Sequence, residues 1–264
     1  MDFWINILMM FCTGIVSGIF GALLGIGGAT ILIPVLTLLL LVPIHLAVAI
    51  SLINNVAVSL TSALKYNEQG LVHKGIVFVM NVGSILGVVI GTLIATRSPE
   101  SAIKLLFGIF LLAMVAIAFI PRKAKSYENS MDQVHAEQKP GLAGLGFIMG
   151  LLGAILGIGG GTVAVPTLND IFHLPFKNSI ANSLATIVVA SSLGAVVYFY
   201  LGAGTLFSAQ QALLTAVVIV PGSVIGAQVG THVSKYIPTK QLKYIFYALL
   251  LYMAYNLIRS GMGW

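Results

Sequence analysis

The chain alternates long apolar runs with short polar loops. Several runs reach the roughly 20 residues that an α-helix needs to cross the hydrocarbon core of a bilayer. A transmembrane β-barrel would show segments of about ten residues that alternate apolar and polar positions, whereas the run IFLLAMVAIAFI at 109–120 is apolar on every side. The pattern predicts an all-α polytopic membrane protein, with apolar segments at 3–24, 29–42, 46–64, 75–96, 102–120, 141–156, 162–172, 179–201, 210–233 and 240–258.

The composition excludes a soluble globule. Of the 264 residues, 58% are hydrophobic and only 8% are charged, whereas an average soluble domain has about 25% charged residues. A formal net charge of +6 would suggest a nucleic-acid partner in a soluble protein, but here the lysines and arginines lie in short loops, as membrane topology requires. We therefore expect the lipid bilayer as a partner and no nucleic acid. The first segment lacks a basic start and a clear cleavage site, so we interpret it as a retained helix.

The two halves of the chain repeat one design. The sequence LGIGGAT at 24–30 returns as LGIGGGT at 156–162, and the same offset of 132 positions places Pro34 on Pro166. Polar residues and tyrosines farther along also match at this offset. Because matched glycines, prolines and polar residues are not expected by chance over most of each half, we infer an internal duplication.

The later parts of the two halves also match, at a larger offset, and these matches define the bounds of the two repeats. After a seven-residue insertion, GSILGVVIGT at 83–92 matches GSVIGAQVGT at 222–231. A hydrophilic stretch too short for a domain separates the two copies and reads as a linker. We predict a first membrane repeat at 1–120, a cytoplasmic linker at 121–140 and a second membrane repeat at 141–264.

The positive charges predict the topology. If all ten segments change sides, ten lysines and arginines share one face, and only Arg97, Lys104 and Arg259 lie on the other. If the two short segments return to the face they left, the split is seven against six. The positive-inside rule favours the first arrangement, with both termini outside. Five crossings per half would make the second repeat inverted relative to the first; eight full helices plus two half-helices is the alternative.

A glycine cluster stands directly before the short second segment of each half. Breaking a helix in a membrane frees backbone groups that are costly to leave unpaired, so a break persists only where protein buries it or a wet cavity meets it. A helix that begins after the break presents free N–H donors and its positive dipole end, which favour an anion. Short, glycine-interrupted segments in two inverted repeats indicate a secondary transporter's binding site. The predicted substrate-binding residues are Gly25, Gly27, Gly28, Thr30, Gly157, Gly159, Gly160, Gly161 and Thr162. The alternative interpretation is that these glycines only permit close helix packing.

Other glycines and prolines are interpreted as structural. In each half one later segment carries a ladder in which glycine recurs every fourth residue, and small residues let transmembrane helices pack closely. A proline also follows each glycine cluster. These residues are Gly83, Gly87, Gly91, Gly222, Gly226, Gly230, Pro34 and Pro166.

The duplicated motifs resemble those of a known family. GALLGIGGATILIPVL at 21–36, GAILGIGGGTVAVPTL at 153–168 and the short echoes AISL and ANSL are similar to the sulfite exporter TauE/SafE family of membrane permeases. The resemblance covers essentially the whole chain. It implies carriage of small sulfur-containing or organic anions, such as sulfite, sulfonates or sulfoacetate, across a prokaryotic plasma membrane. One departure is Ala29, where the second copy has Gly161.

Polar residues inside the apolar segments form a second group of candidates, because polar groups are expensive within a membrane. Interhelical hydrogen bonding is the alternative interpretation for any single one. Two pairs occupy equivalent positions in the halves and could flank one pseudo-symmetric cavity. The second-rank substrate ligands are Ser51, Asn54, Asn55, Asn182, Ser183 and Thr186.

These patterns together predict a secondary transporter that moves a small anion, with the substrate held between two glycine-broken helix starts. An anion channel and a non-transporting membrane assembly component are the alternatives. Paired carboxylates, a histidine cluster or an activated nucleophile at one membrane depth are not visible in the sequence. We therefore expect no enzymatic activity, no catalytic residue, no metal and no cofactor. A coupling proton or other ion and a homodimer are left open.

Overall fold

The structure is a computed structural model that describes residues 3–118, 138–234 and 239–262. Helices account for most of these residues, and a π-helical segment, Val35–Leu39, directly continues the second helix. In chain order the helices are α1 (Phe3–Leu24), α2 (Ala29–Pro34), α3 (Ile44–Glu68), α4 (Lys74–Arg97), α5 (Glu100–Ala118), α6 (Lys139–Leu156), α7 (Gly161–Asp170), α8 (Phe176–Gly202), α9 (Ala209–Val233) and α10 (Thr239–Gly261).

The predicted all-α polytopic fold is confirmed. Within the described residues, six helices are long and apolar enough to cross a membrane, namely α1, α3, α4, α6, α8 and α9. Large apolar side chains such as Phe78, Val196 and Val217 are exposed on the outside of this bundle. A soluble protein rarely exposes so much apolar surface, so these faces are suited to contact lipid.

The second segment of each half is a short helix. In the first half, six α-helical residues are followed by five π-helical ones, and α7 has ten residues. At about 1.5 Å per residue, each covers roughly half of a hydrocarbon core of about 30 Å. The predicted segment 29–42 is thus less regular than its apolar sequence indicated, because Pro34 lacks the N–H that would continue the α-helical ladder.

The glycine ladders lie where the two halves interlock. A Cβ atom at any of these six glycines would collide with backbone of the facing helix. The facing carbonyl oxygens, in ladder order, are those of Ala143, Phe147 and Leu151 in α6 for the α4 ladder, and of Phe11, Ile15 and Ile19 in α1 for the α9 ladder. Both helix pairs therefore run parallel at very close approach.

These helix contacts are reciprocal. By the sequence offsets, α1 is equivalent to α6 and α4 is equivalent to α9, so the first helix of each half packs on the fourth helix of the other. Reciprocal contacts are what a two-fold relation produces. Whether the second repeat is inverted in the membrane, and the division into repeats at 1–120 and 141–264, stay predictions. Most of the predicted linker 121–140 lies outside the described residues.

The last helix of each half completes the bundle. Gly108 of α5 lies against Ile258 of α10, and Gly261 at the end of α10 lies against Leu105 near the start of α5. The two helices therefore run antiparallel.

Candidate functional site

Both glycine clusters break their helices with left-handed backbone. A φ between about +20° and +160° is readily adopted by glycine and strains other residues. The equivalent pairs are Gly25 and Gly157 (φ 73° and 72°), Gly27 and Gly159 (79° and 71°), and Gly28 and Gly160 (91° and 76°). The chain thus builds the same turn twice, and α2 and α7 begin directly after it.

The two clusters touch each other. A Cβ atom at Gly161, the first residue of α7, would collide with the carbonyl oxygen of Gly25. A Cβ atom at Gly25 would lie 2.8 Å from the Val165 side chain of α7, and one at Gly157 would lie 3.0 Å from Ile33 of α2. Each cluster therefore packs on the short helix of the opposite half.

Two buried serines fasten the clusters by equivalent hydrogen bonds. Ser183 Oγ of α8 donates to the carbonyl oxygen of Gly25 at 2.9 Å. Ser51 Oγ of α3 shares its proton between the carbonyl oxygen of Gly157 at 3.0 Å and that of Val48, in its own helix, at 2.8 Å. A helix end leaves carbonyl groups without intrahelical partners. At each break, the opposite half supplies a partner for one of them.

Asn55 joins the two clusters but has no polar counterpart. Its Nδ2 donates to the Gly157 carbonyl oxygen at 3.0 Å, while its Oδ1 accepts from the backbone N–H of Ala29 at 3.2 Å. The offset of 132 places Ile187 at the equivalent position. Because an isoleucine side chain cannot accept a hydrogen bond, the start of α7 lacks the amide cap that covers the start of α2.

Four buried hydroxyl groups near the clusters have no hydrogen-bond partner within the described part of the chain. They form two equivalent pairs, Thr30 with Thr162 and Ser59 with Ser191. A Cβ atom at Gly27 would lie 3.4 Å from Ser59 Oγ, and one at Gly159 would lie 3.1 Å from Ser191 Oγ. Since buried polar groups are nearly always hydrogen-bonded, these hydroxyls are available to a ligand.

A proline in each short helix removes the usual hydrogen-bond donor to a threonine carbonyl. Pro34 follows Thr30 by four residues, and Pro166 follows Thr162 by four residues, each inside its short helix. A proline has no N–H, so the threonine carbonyl loses its ordinary helical partner. Each helix start thus combines a free hydroxyl with a weakened backbone ladder.

The remaining second-rank candidates divide into two groups. Asn54 lies at the first cluster, since its Nδ2 donates to Ser17 Oγ at 3.3 Å and Ser17 in turn donates to the Gly28 carbonyl at 3.2 Å. Asn182 instead accepts from the backbone N–H of His73 at 2.8 Å. Thr186 donates to the Asn182 carbonyl at 2.9 Å, and its hydroxyl lies 4.0 Å from Met80 Sδ of α4. These contacts place Asn182 and Thr186 toward α4 and its preceding loop rather than at the clusters.

The site also contains three serines that were not among the residues predicted from the sequence, namely Ser17, Ser59 and Ser191. Ser59 and Ser191 could have been predicted, because they match at the same offset of 132 that pairs Ser51 with Ser183. Ser17 carried no such signal, since its role depends on the chain turning back at the glycine cluster.

A polytopic helical bundle with two touching helix breaks has the architecture of a membrane transporter, and comparison with known proteins names the family. A sequence model described as Sulfite exporter TauE/SafE matches residues 10–257. The chain belongs to this family, as its motifs predicted. It is a multi-pass transporter of the prokaryotic plasma membrane.

Relatives with known names point the same way. The chain is 24% identical to Probable membrane transporter protein YunE of Bacillus subtilis (strain 168), over 97% of this chain and 98% of that protein. It is 26% identical to Probable membrane transporter protein MamO of Paramagnetospirillum magneticum, over 97% of this chain but 45% of that protein, so it spans about half of MamO. No solved structure matches the chain significantly.

Proposed function

We propose that this protein is a secondary transporter that carries a small oxyanion, such as sulfite, a sulfonate or a related organic anion, between the two glycine clusters. The single observation that carries the proposal is that the hydroxyls of Thr30 and Thr162 have no hydrogen-bond partner within the described residues. Each is buried at the start of a broken helix, and the halves supply them as an equivalent pair. A hydroxyl that donates to a charged oxygen contributes about 1.5–3 kcal/mol, which is more than a neutral pair contributes.

The electrostatic surroundings support an anion. The start of α7 directs its backbone N–H groups and positive dipole end toward the meeting point of the clusters. Residues 3–67 and 138–169 contain no Asp or Glu, so neither cluster has a carboxylate nearby in sequence that would repel the substrate. Thr30, Thr162, Ser59 and Ser191 then supply donors from both halves.

The reciprocal contacts between the halves support a carrier. Ser51 and Ser183 hold the two breaks together across the boundary between the halves, and a movement of one half against the other would alter both breaks at once. Alternating access in duplicated transporters uses movement of this kind around a central site. The arrangement calls for no catalytic side chain and no cofactor.

The test is transport by the purified protein in proteoliposomes. Sulfite, methanesulfonate, sulfoacetate and acetate are each offered outside, with and without the same anion preloaded inside. We expect saturable uptake of at least one sulfur oxyanion, stimulated by the preloaded anion, with little uptake of acetate. Thr162→Val should weaken this uptake. Thr37→Val should not, because it loses only local hydrogen bonds to the carbonyl oxygens of Ile33 and Pro34 in the preceding turn.

Two results would contradict the proposal. Flux that rises linearly with concentration and ignores preloaded anion would indicate a channel. No flux of any of the four anions, in vesicles that contain folded protein, would remove the sulfur oxyanion as substrate.

A further inference from the structure

His45 is a buried titratable side chain on the boundary between the two halves. It is the second residue of α3, and its Nδ1 lies 2.8 Å from the hydroxyl oxygen of Tyr198 in α8. Both side chains are buried. The Tyr198 ring stacks on Phe207, with ring centroids 5.7 Å apart. The pair therefore joins the two halves in apolar surroundings.

Few charged groups act on this histidine. The imidazole has a hydrogen bond with the backbone of Ser98 in the turn between α4 and α5, and it interacts electrostatically with Glu100 at the start of α5. Glu100 is paired with Lys104 at 3.9 Å. Of the other elements packed on α3, α2 and the π-helical segment contain no titratable side chain, α1 contains only Cys12, and α9 contains only His232, in its last turn. The titratable residues of α8 are Lys177, Tyr198 and Tyr200.

The bond to Tyr198 fits a neutral imidazole. An imidazole with its proton on Nε2 can accept the tyrosine O–H at Nδ1, but an imidazolium has only donors. After protonation the Tyr198 hydroxyl would have to turn its proton away into apolar surroundings. The new charge would also be buried, which is costly unless it is paired and solvated. Proton uptake therefore reverses the donor and acceptor in this contact between the halves and places a charge in apolar surroundings. The cost of that buried charge favours a conformation in which His45 leaves Tyr198 and meets water.

The second half has no histidine at the position equivalent to His45. The offset of 132 places Lys177 at the equivalent position, where it is exposed, and Tyr66, which is equivalent to Tyr198, donates to the Ala22 carbonyl at 3.2 Å. A histidine changes charge near neutral pH, whereas a lysine does not. The protein thus has a proton-sensitive contact between α3 and α8 at one end of the pseudo-symmetric bundle only.

We propose that His45 is the site of the coupling proton, so that protonation of its imidazole releases Tyr198 and accompanies movement of the halves during anion transport. The inference rests on the proposed function, because coupling requires a transported anion. Under the predicted topology the α4–α5 turn faces outside, so the proton reaches His45 from that side. The proton is bound and released at the imidazole without any other covalent bond being made or broken.

The test separates coupling from transport itself. Proteoliposomes with wild type, His45→Gln, Tyr198→Phe or the control Tyr66→Phe receive radiolabelled sulfite in two assays, exchange at equal pH on both sides and uptake driven by a pH gradient. We expect the gradient to stimulate wild type and Tyr66→Phe several-fold. His45→Gln should keep exchange and lose the stimulation. Comparison with the control at each pH cancels the titration of sulfite.

Gradient stimulation of His45→Gln equal to wild type would overturn the proposal, as would a wild type that the gradient does not stimulate. If His45→Gln fails to fold, Tyr198→Phe decides the question: the midpoint of its pH profile should differ from that of Tyr66→Phe, and an unchanged midpoint would overturn the proposal. Failure of the proposed function looks different, because wild type then shows no sulfite exchange at any pH, and the coupling proposal falls with it.

Discussion

Ser183 of α8 donates a hydrogen bond to the carbonyl oxygen of Gly25 at 2.9 Å, although the two residues are 158 positions apart in the chain. Ser51 and Gly157 repeat this bond in the opposite direction between the halves. At each break, a side chain of the opposite half binds one backbone carbonyl, so the candidate site depends on the assembly of both halves.

This relationship predicts unequal effects of the two serines on stability. Removing the Ser183 hydroxyl takes away the serine bond to the Gly25 carbonyl, and a buried carbonyl left unsatisfied costs about 1–3 kcal/mol. The Gly157 carbonyl keeps its bond from Asn55 when Ser51 is truncated. In thermal unfolding of the detergent-solubilised protein, Ser183→Ala should therefore be more destabilised than Ser51→Ala. Ser62→Ala, which loses only a bond to Val58 within its own helix, serves as the control. Equal midpoints for Ser183→Ala and the control would contradict this account.

The contact between the clusters predicts an asymmetric response at their first helical residues. A Cβ atom at Gly161 would collide with the Gly25 carbonyl and lie 2.6 Å from the Ile187 side chain, so Gly161→Ala must push the clusters apart. We expect exchange to fall at least about tenfold, with a lower unfolding temperature. The equivalent change Ala29→Gly adds no atoms and should keep transport close to wild type. Equal activity in the two variants would show that the clusters tolerate separation.

The glycine ladders should be needed for assembly rather than for substrate binding. A side chain at Gly87 would collide with the Phe147 carbonyl, and one at Gly226 with the Ile15 carbonyl. Overpacking of this kind in close-packed surroundings is destabilising, so Gly87→Leu and Gly226→Leu should leave little folded protein in the membrane. Gly144→Leu is the matched control, because no atom of the described residues lies within 4 Å of a Cβ atom there. Normal amounts of a Gly87→Leu protein that no longer transports would instead place α4 in the transport pathway.

The topology prediction is testable by cysteine labelling. If the chain crosses the membrane ten times, α5 and α10 run antiparallel, whereas eight crossings would make them parallel. The contacts of Gly108 and Gly261 show that the two helices are antiparallel, which supports ten crossings. In a Cys12→Ser background, a membrane-impermeant maleimide should label Arg97→Cys and Arg259→Cys in intact cells. It should label Lys139→Cys only after permeabilisation. Labelling of Lys139→Cys and Arg259→Cys from the same side would contradict the arrangement.

The helical membrane fold and the position of both breaks could be predicted from the sequence, because each depends on local information. Long apolar runs define spans, and a glycine cluster followed by a proline cannot continue a regular helix. The match at an offset of 132 also predicts that Gly28 and Gly160 have the same structural role. Backbone angles of 91° and 76° at these residues agree with that interpretation.

The contacts between the halves could not be predicted, because they depend on which side of a helix meets which neighbour. Asn182 and Ser183 are adjacent in sequence, yet one bonds to the loop before α4 and the other to the Gly25 carbonyl. Neighbouring helical positions are about 100° apart around the axis. Polar residues in one segment therefore lie on different faces of the helix and contact different neighbours. The burial of His45 likewise depends on the α4–α5 turn, which is remote in sequence.

The central claim is that an oxyanion binds between the glycine clusters, and its most direct test is the dissociation constant of sulfite for the purified protein, measured by isothermal titration calorimetry. Thr30→Val and Thr162→Val keep the side-chain shape and remove one hydroxyl each. Because these hydroxyls have no hydrogen-bond partner among the residues that the structure describes, their removal should leave the unfolding temperature unchanged or raise it. Loss of a hydrogen bond to a charged group, about 1.5–3 kcal/mol, should weaken sulfite binding by roughly ten- to a hundredfold in each variant. Sulfite affinity equal to wild type in both folded variants, with Thr37→Val as the control, would contradict the claim.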